Sequence, residues 1–103
     1  MPDNRSLSIQ SVIDSLRQAQ IDYGAALSAQ EREEWEGIMA SLEEAAVGFT
    51  TGRTGTAKRH AADSEAKLRV QFGRRDGADN DALRLAALDA ARRLDREVFG
   101  ARG

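Results

Sequence analysis

The chain has no cysteine, which removes disulfide staples, thiolate nucleophiles and cysteine-based metal sites together. It has a single histidine, His60, so a multi-histidine zinc or iron site cannot form within one copy. No apolar run approaches the roughly 20 residues that a membrane-crossing helix needs. Residues Met1 to Leu16 lack the basic-then-apolar pattern of a secretory signal, so the expected compartment is the cytoplasm, away from membranes. Lysine is nearly absent, two against thirteen arginines, which together with abundant alanine reads as a GC-rich coding bias. Large apolar side chains are scarce as well: Leu, Ile, Val, Phe, Met, Trp and Tyr number 24 in 103 residues. Such a length has room for one domain, residues 1–103, with a thin stability margin. The net charge of −2 argues against full disorder. Self-association is the expected way for so small a core to be completed.

What is present is helical periodicity. Ile9, Val12, Ile13, Leu16, Ala19, Tyr23 and Leu27 recur at three-and-four spacing and predict a helix over about 7–27, with Ser6 or Ser8 as N-cap. Ser28-Ala-Gln-Glu31 reads as a capping box that starts a second helix after a break near Gly24. Trp35, Ile38, Met39, Leu42, Ala45, Ala46 and Phe49 form its stripe. Thr50 to Thr56 reads as a Gly/Thr loop with a capping threonine at its end. The period is contested in the third segment, about 57–72. Ala57, Ala61, Ser64, Leu68 and Phe72 suit a helix, whereas Leu68, Val70 and Phe72 alternate with polar residues as a strand would. A short β-hairpin around 47–51 and 67–72 is the alternative. Gly73 to Asn80 is a second turn, with Asp79 or Asn80 capping the fourth helix, about 81–99, whose face carries Leu83, Ala86, Ala87, Ala90, Ala91, Leu94 and Val98. Asp89 to Arg93 and Arg93 to Glu97 are candidate i,i+4 pairs. The expected fold is all-α, a small antiparallel helical bundle of about four helices, closed within one chain or as two hairpins in a dimer.

The inventory for catalysis is thin. His60 reads as a surface or helix-end residue beside Lys58 and Arg59, with no carboxylate placed by sequence to orient it. Glu33-Glu34 and Glu43-Glu44 are sequential neighbours that point different ways round a helix. No Glu-x-x-His pair exists for a carboxylate-bridged metal centre. The Thr-Gly-Arg-Thr-Gly-Thr-Ala-Lys58 loop fails the P-loop spacing, since Lys58 stands three residues after Gly55 and the preceding segment is helical. No catalytic residue, metal or cofactor is expected.

Charge is distributed unevenly. Residues 1–49 hold three arginines against nine acids, a net of −6, and residues 50–103 hold twelve basic residues against eight acids, a net of +4. Such asymmetry hints at nucleic-acid contact or head-to-tail association. Arg53, Lys58, Arg59, Arg69, Arg74 and Arg75 cluster around the two loops as candidate phosphate contacts. The overall pI of about 5.4 is far from that of a typical nucleic-acid domain.

Trp35-Glu36-Gly37 superficially resembles the signature of the WXG-type secreted helical hairpins, in which the motif forms the turn between two long helices and members act as dimers. In this chain the helical stripe runs straight through Gly37 and its surroundings are charged. The family's tyrosine-containing C-terminal export signal is missing, since the only tyrosine is Tyr23. Trp35 is therefore read as a core residue.

The sequence thus favours a non-enzymatic helical protein–protein interaction module: an adaptor, subunit or small structural component that self-associates or docks a protein partner. Ile9, Ile13, Leu16, Tyr23, Trp35, Ile38 and Leu42 form its core or interaction stripe. The alternative is a small nucleic-acid-binding regulator that uses the basic region Arg53–Arg75.

Overall fold

A computed structural model describes residues 4–74 and 81–100. Helix α1 spans Asn4–Tyr23 and runs into a 3₁₀ turn, Gly24–Ala26; α2 spans Ala29–Thr50, α3 Thr54–Lys67 and α4 Asp81–Leu94. Each of the last two helices widens into a π-helical turn at its C-terminus, Leu68–Phe72 after α3 and Asp95–Phe99 after α4. The fold is all-α, and among the described residues there is no strand.

Capping at Ser28 follows the local chemistry of the sequence. Glu31 N donates to Ser28 Oγ at 3.1 Å and Ser28 N donates to Glu31 Oε1 at 2.9 Å, so two amides that a helix start leaves orphaned are satisfied reciprocally. The end of α2 uses the complementary device. Gly52 takes φ +82°, and Arg53 N then reaches back to Gly48 O at 2.8 Å while Thr51 N bonds Val47 O, which closes α2 as a glycine-dependent C-cap.

Several expectations are corrected. The strand pair at 47–51 and 67–72 does not form: α2 continues to Thr50, and residues 68–72 are π-helical. A strand would put Leu68, Val70 and Phe72 on one face. Instead Leu68 and Phe72 are fully buried and Val70 is 55% exposed, the signature of a helical period. The Gly/Thr loop shrinks to Thr51–Arg53, because α3 already begins at Thr54; Thr56 lies inside its first turn, and Arg53 occupies the N-cap without a side-chain cap bond. Ser6 and Ser8 also lie inside a helix, α1 having begun at Asn4. Asp79 and Asn80, the expected caps of α4, lie outside the described residues.

Tyr23 is 48% exposed rather than in the stripe, while Ile9, Ile13, Leu16, Trp35, Ile38 and Leu42 are all at most 2% exposed. The chain leaves helical geometry at Tyr23 (φ −129°), and the turn brings Leu27 back to close that end of the core at 6% exposure. The phenol keeps its hydroxyl in water.

The buried side chains form one cluster to which all four helices contribute. Long-range polar bonds set the register. Ser6 Oγ donates to Ala46 O at 3.1 Å, linking the start of α1 to the end of α2, and Trp35 Nε1 donates to Leu16 O at 3.1 Å, linking the middle of α1 to the early part of α2. Glycine sets the closest approach. A Cβ on Gly48 would stand 2.8 Å from Ala57 Cβ, so α2 and α3 meet nearly backbone to backbone there. Gly73 is similar in effect: its φ of −68° is ordinary, but a Cβ would fall 2.6 Å from Arg69 O and 2.8 Å from Leu88 Cδ2. Among the described residues no helix is long and apolar enough to cross a membrane.

Candidate functional site

Three regions carry exposed or clustered polar groups: a cleft between α2 and α3, the α1–α4 seam, and the outer ridges of α2 and α3.

The cleft opens where α2 ends and α3 begins. It encloses about 60 Å³ and is lined by Glu44, Val47, Gly48, Thr51, Arg53, Thr56 and His60. Ser41 Oγ and His60 Nδ1 lie 3.3 Å apart at its edge, the proton's position depending on the imidazole tautomer. Sequence placed no carboxylate beside His60; the fold brings Glu44 into the same cleft from one α2 turn away. The Thr51 hydroxyl is already engaged with Val47 O at 2.9 Å. The space is far below the roughly 300 Å³ at which small-molecule pockets usually begin. It accommodates water or a small ion rather than an enclosed substrate. Among the described residues no group of three or more His, Asp or Glu side chains converges to hold a metal ion.

The α1–α4 seam is structural. Arg93 donates to Ser15 Oγ at 3.1 Å and to Ser11 Oγ, and it sits 3.9 Å from Glu97. The pairing expected between Asp89 and Arg93 is replaced by these serine contacts. Glu97 is held below the ordinary carboxylate value, chiefly by a hydrogen bond from Ser8; burial opposes it, and Arg96 and Arg93 add to the lowering. Ser8, Ser11 and Ser15 follow three-and-four spacing beside the apolar stripe of α1. That spacing was the available signal for a polar seam, and sequence reasoning passed over it.

The expected phosphate contacts are not gathered into one basic stripe. Arg53, Lys58, Arg59, Arg69 and Arg74 are all exposed; Arg75 lies outside the described residues. Lys58 and Arg59 are consecutive in a helix and so diverge by about 100°. Arg69 pairs with Glu65 at 3.2 Å, and Lys67 with Asp63 at 3.0 Å, so two of the six cations described in this segment are neutralised by acids one turn away. Arg53, Lys58, Arg59 and Arg74 have no ion pair among the described residues.

The acidic first half resolves into an outer ridge on α2. Glu33, Gly37, Ala40, Glu44 and Val47 follow one another at steps of four, three, four and three, and all five are exposed. Among the described residues nothing lies within 4 Å of the position that a Gly37 Cβ would occupy, and Val47 is 56% exposed. Glu36 and Glu43 flank the ridge and are tied to α1, accepting from Gln20 at 3.1 Å and Arg17 at 3.4 Å. Glu33 and Glu44 have no hydrogen bond or ion pair among the described residues.

No protein-family model, no curated protein and no solved structure matches the chain.

Proposed function

We propose that this chain is a non-enzymatic helical protein–protein interaction module, an antiparallel four-helix bundle acting as an adaptor, subunit or small structural component that binds through its surface. The observation that carries the reading is the α2 ridge. A 4-3-4-3 stripe running for about four turns is the spacing that keeps one face of a helix against a partner helix. Here the stripe is exposed, small at its centre and acidic on either side, with two glutamates unpaired among the described residues. The core stripe is consumed inside the chain, so docking falls to outward faces such as this one.

The test is affinity capture with the purified chain as bait, wild type against Ala40→Arg. Ala40 is exposed, so the arginine leaves the core intact and places bulk and charge at the ridge centre. Proteins, or further copies of the chain, retained by the wild type and lost by the variant support the reading. Equal retention by both baits removes the α2 ridge as the docking surface.

The second reading, nucleic-acid binding through Arg53 to Arg75, is favoured by one observation, the exposed cations without ion pairs at Arg53, Lys58, Arg59 and Arg74. It requires affinity that falls steeply with salt, and a shallower salt slope when these four are changed to alanine. Fluorescence anisotropy with labelled DNA and RNA decides it. No binding at low salt eliminates this reading.

A further inference from the structure

We infer that the partner fitted by the α2 ridge is a second copy of this chain, which docks its α3 ridge there; the inference rests on the interaction reading above. Helix α3 carries a ridge with the same spacing: Gly55, Arg59, Ala62 and Ala66, at steps of four, three and four and again all exposed, with Arg69 following in the π-helical turn. Among the described residues nothing lies within 4 Å of a Cβ built on Gly55. Both ridges therefore have small centres that admit close approach of a facing helix, and both hold the 3.5-residue period that lets contact persist over several turns.

Their charges are opposite. The α2 ridge bears Glu33 and Glu44 and no cation, whereas the α3 ridge bears Arg59 with Lys58 beside it, both without an ion pair among the described residues, and Arg69, which is paired with Glu65. Each ridge is accompanied at its C-terminal end by a half-exposed valine, Val47 at 56% and Val70 at 55%. Apolar burial at one end is thus added to ion pairing along the rest.

The two ridges cannot meet within one copy. Helices α2 and α3 already pack through other faces, Gly48 against Ala57 and Ser41 against His60; Glu44 and Val47 border that seam at the His60 cleft, and all members of both ridges stay exposed. Between copies, α2 against α2 would oppose glutamate to glutamate and α3 against α3 would oppose arginine to arginine. Only α2 against α3 pairs unlike charges, and like-charge juxtaposition in an interface suppresses the wrong pairing. The contact sets α2 of one copy on α3 of the next, either reciprocally about a two-fold axis or singly, with one ridge of each copy left free to extend the assembly. The contact is limited by the 14 residues of α3, which at a rise of about 1.5 Å per residue and ordinary interhelical spacing present roughly 200 Å² of flat area per partner; that is well below the ~800 Å² of a standard interface, so the association is weak and dependent on concentration.

Sedimentation of the full chain, from micromolar to near-millimolar protein and at low and high salt, tests the inference, with far-UV circular dichroism confirming the fold of each variant. The wild type gains mass with concentration and loses association as salt screens the pairs. Glu33→Arg/Glu44→Arg and Lys58→Glu/Arg59→Glu each weaken association by roughly tenfold or more. Mixing these two variants restores it, because the reversed α2 of one now faces the reversed α3 of the other. A wild type that stays monomeric throughout, association indifferent to either reversal, or a mixture no tighter than its components each overturns the inference. If a monomeric wild type still captures other proteins in a manner that Ala40→Arg abolishes, only the identity of the partner falls; if that capture also fails, the interaction reading falls with it.

Discussion

Trp35 on α2 and Phe72, at the end of the π-helical turn after α3, meet edge to face with ring centroids 4.9 Å apart and planes at 83°. The same indole donates to Leu16 O on α1, so one side chain ties three parts of the chain together. In a core otherwise rich in alanine, this is where aromatic area and a buried hydrogen bond coincide.

Trp35→Ala is expected to cost about 3–5 kcal/mol, a large share of the roughly 5–15 kcal/mol typical of a domain. Trp35→Phe keeps most of the apolar area and loses the indole N–H, and should cost about 1–2 kcal/mol. Urea unfolding followed by circular dichroism separates the two. Equal costs would show that the hydrogen bond, rather than packing volume, dominates at this position.

Gly48 and Gly37 should respond to alanine with opposite signs. Alanine improves helix propensity by about 1 kcal/mol at either site. At Gly48 the new Cβ meets Ala57 Cβ at 2.8 Å and Ala57 Cα at 3.3 Å, and such overpacking costs about 1–3 kcal/mol, so Gly48→Ala destabilises on balance. Gly37 faces open space, so Gly37→Ala stabilises. The comparison is made from urea midpoints at dilute protein; a stabilising Gly48→Ala would mean that α2 and α3 separate freely.

Ser64 Oγ is buried without a hydrogen-bond partner among the described residues. A hydroxyl left in that state costs about 1–3 kcal/mol. Ser64→Ala removes the hydroxyl and adds helix propensity, so it should raise the unfolding midpoint by an amount equivalent to about 1 kcal/mol or more. A lowered midpoint would point to a water or side-chain partner for Ser64 in solution.

Acid sensitivity should be traceable in part to Glu97. The Ser8 hydrogen bond, with Arg96 and Arg93, holds its carboxyl below the ordinary value of 4.5. A depressed folded value means that the native state binds fewer protons than the unfolded chain. The contribution is therefore fully present above the unfolded value and is lost as pH falls through the folded one. Glu97→Gln should lower stability at neutral pH and flatten the acid limb of stability against pH. Ser8→Ala should reproduce part of that flattening, and an unchanged acid limb in both variants would remove Glu97 from the account. The measurement is a series of urea midpoints from neutral pH down through the carboxylate range.

Where one local rule dominated, the sequence was readable to the residue. The Ser28–Glu31 capping box and the stripes from Ile9 to Leu16 and from Trp35 to Leu42 all fall where periodicity and capping chemistry put them. Boundaries were less legible. Thr54 opens α3 without a side-chain cap, and no local residue advertises that start. Tyr23 has the spacing of a core residue, but the chain turns before its ring is covered. The alternation at Leu68, Val70 and Phe72 satisfies a strand and a helix equally over five residues, and only partners elsewhere decide between them.

For the candidate site, the uneven charge was visible in the composition, whereas its division into two ridges followed only once the exposed face of each helix was known. By itself the sequence determined the all-α class and most of the inward-facing residues, because these depend on the 3.6-residue period of a single helix. Tertiary structure alone decided which faces are spent and which remain. It brought Glu44 to the cleft of His60, tied Arg93 to the serines of α1, left Ser64 without a partner among the described residues, and kept the small, charged ridges of α2 and α3 exposed. The reason is that each of these depends on the approach of segments distant in the chain, and the spacing of residues within one segment carries no record of its neighbours.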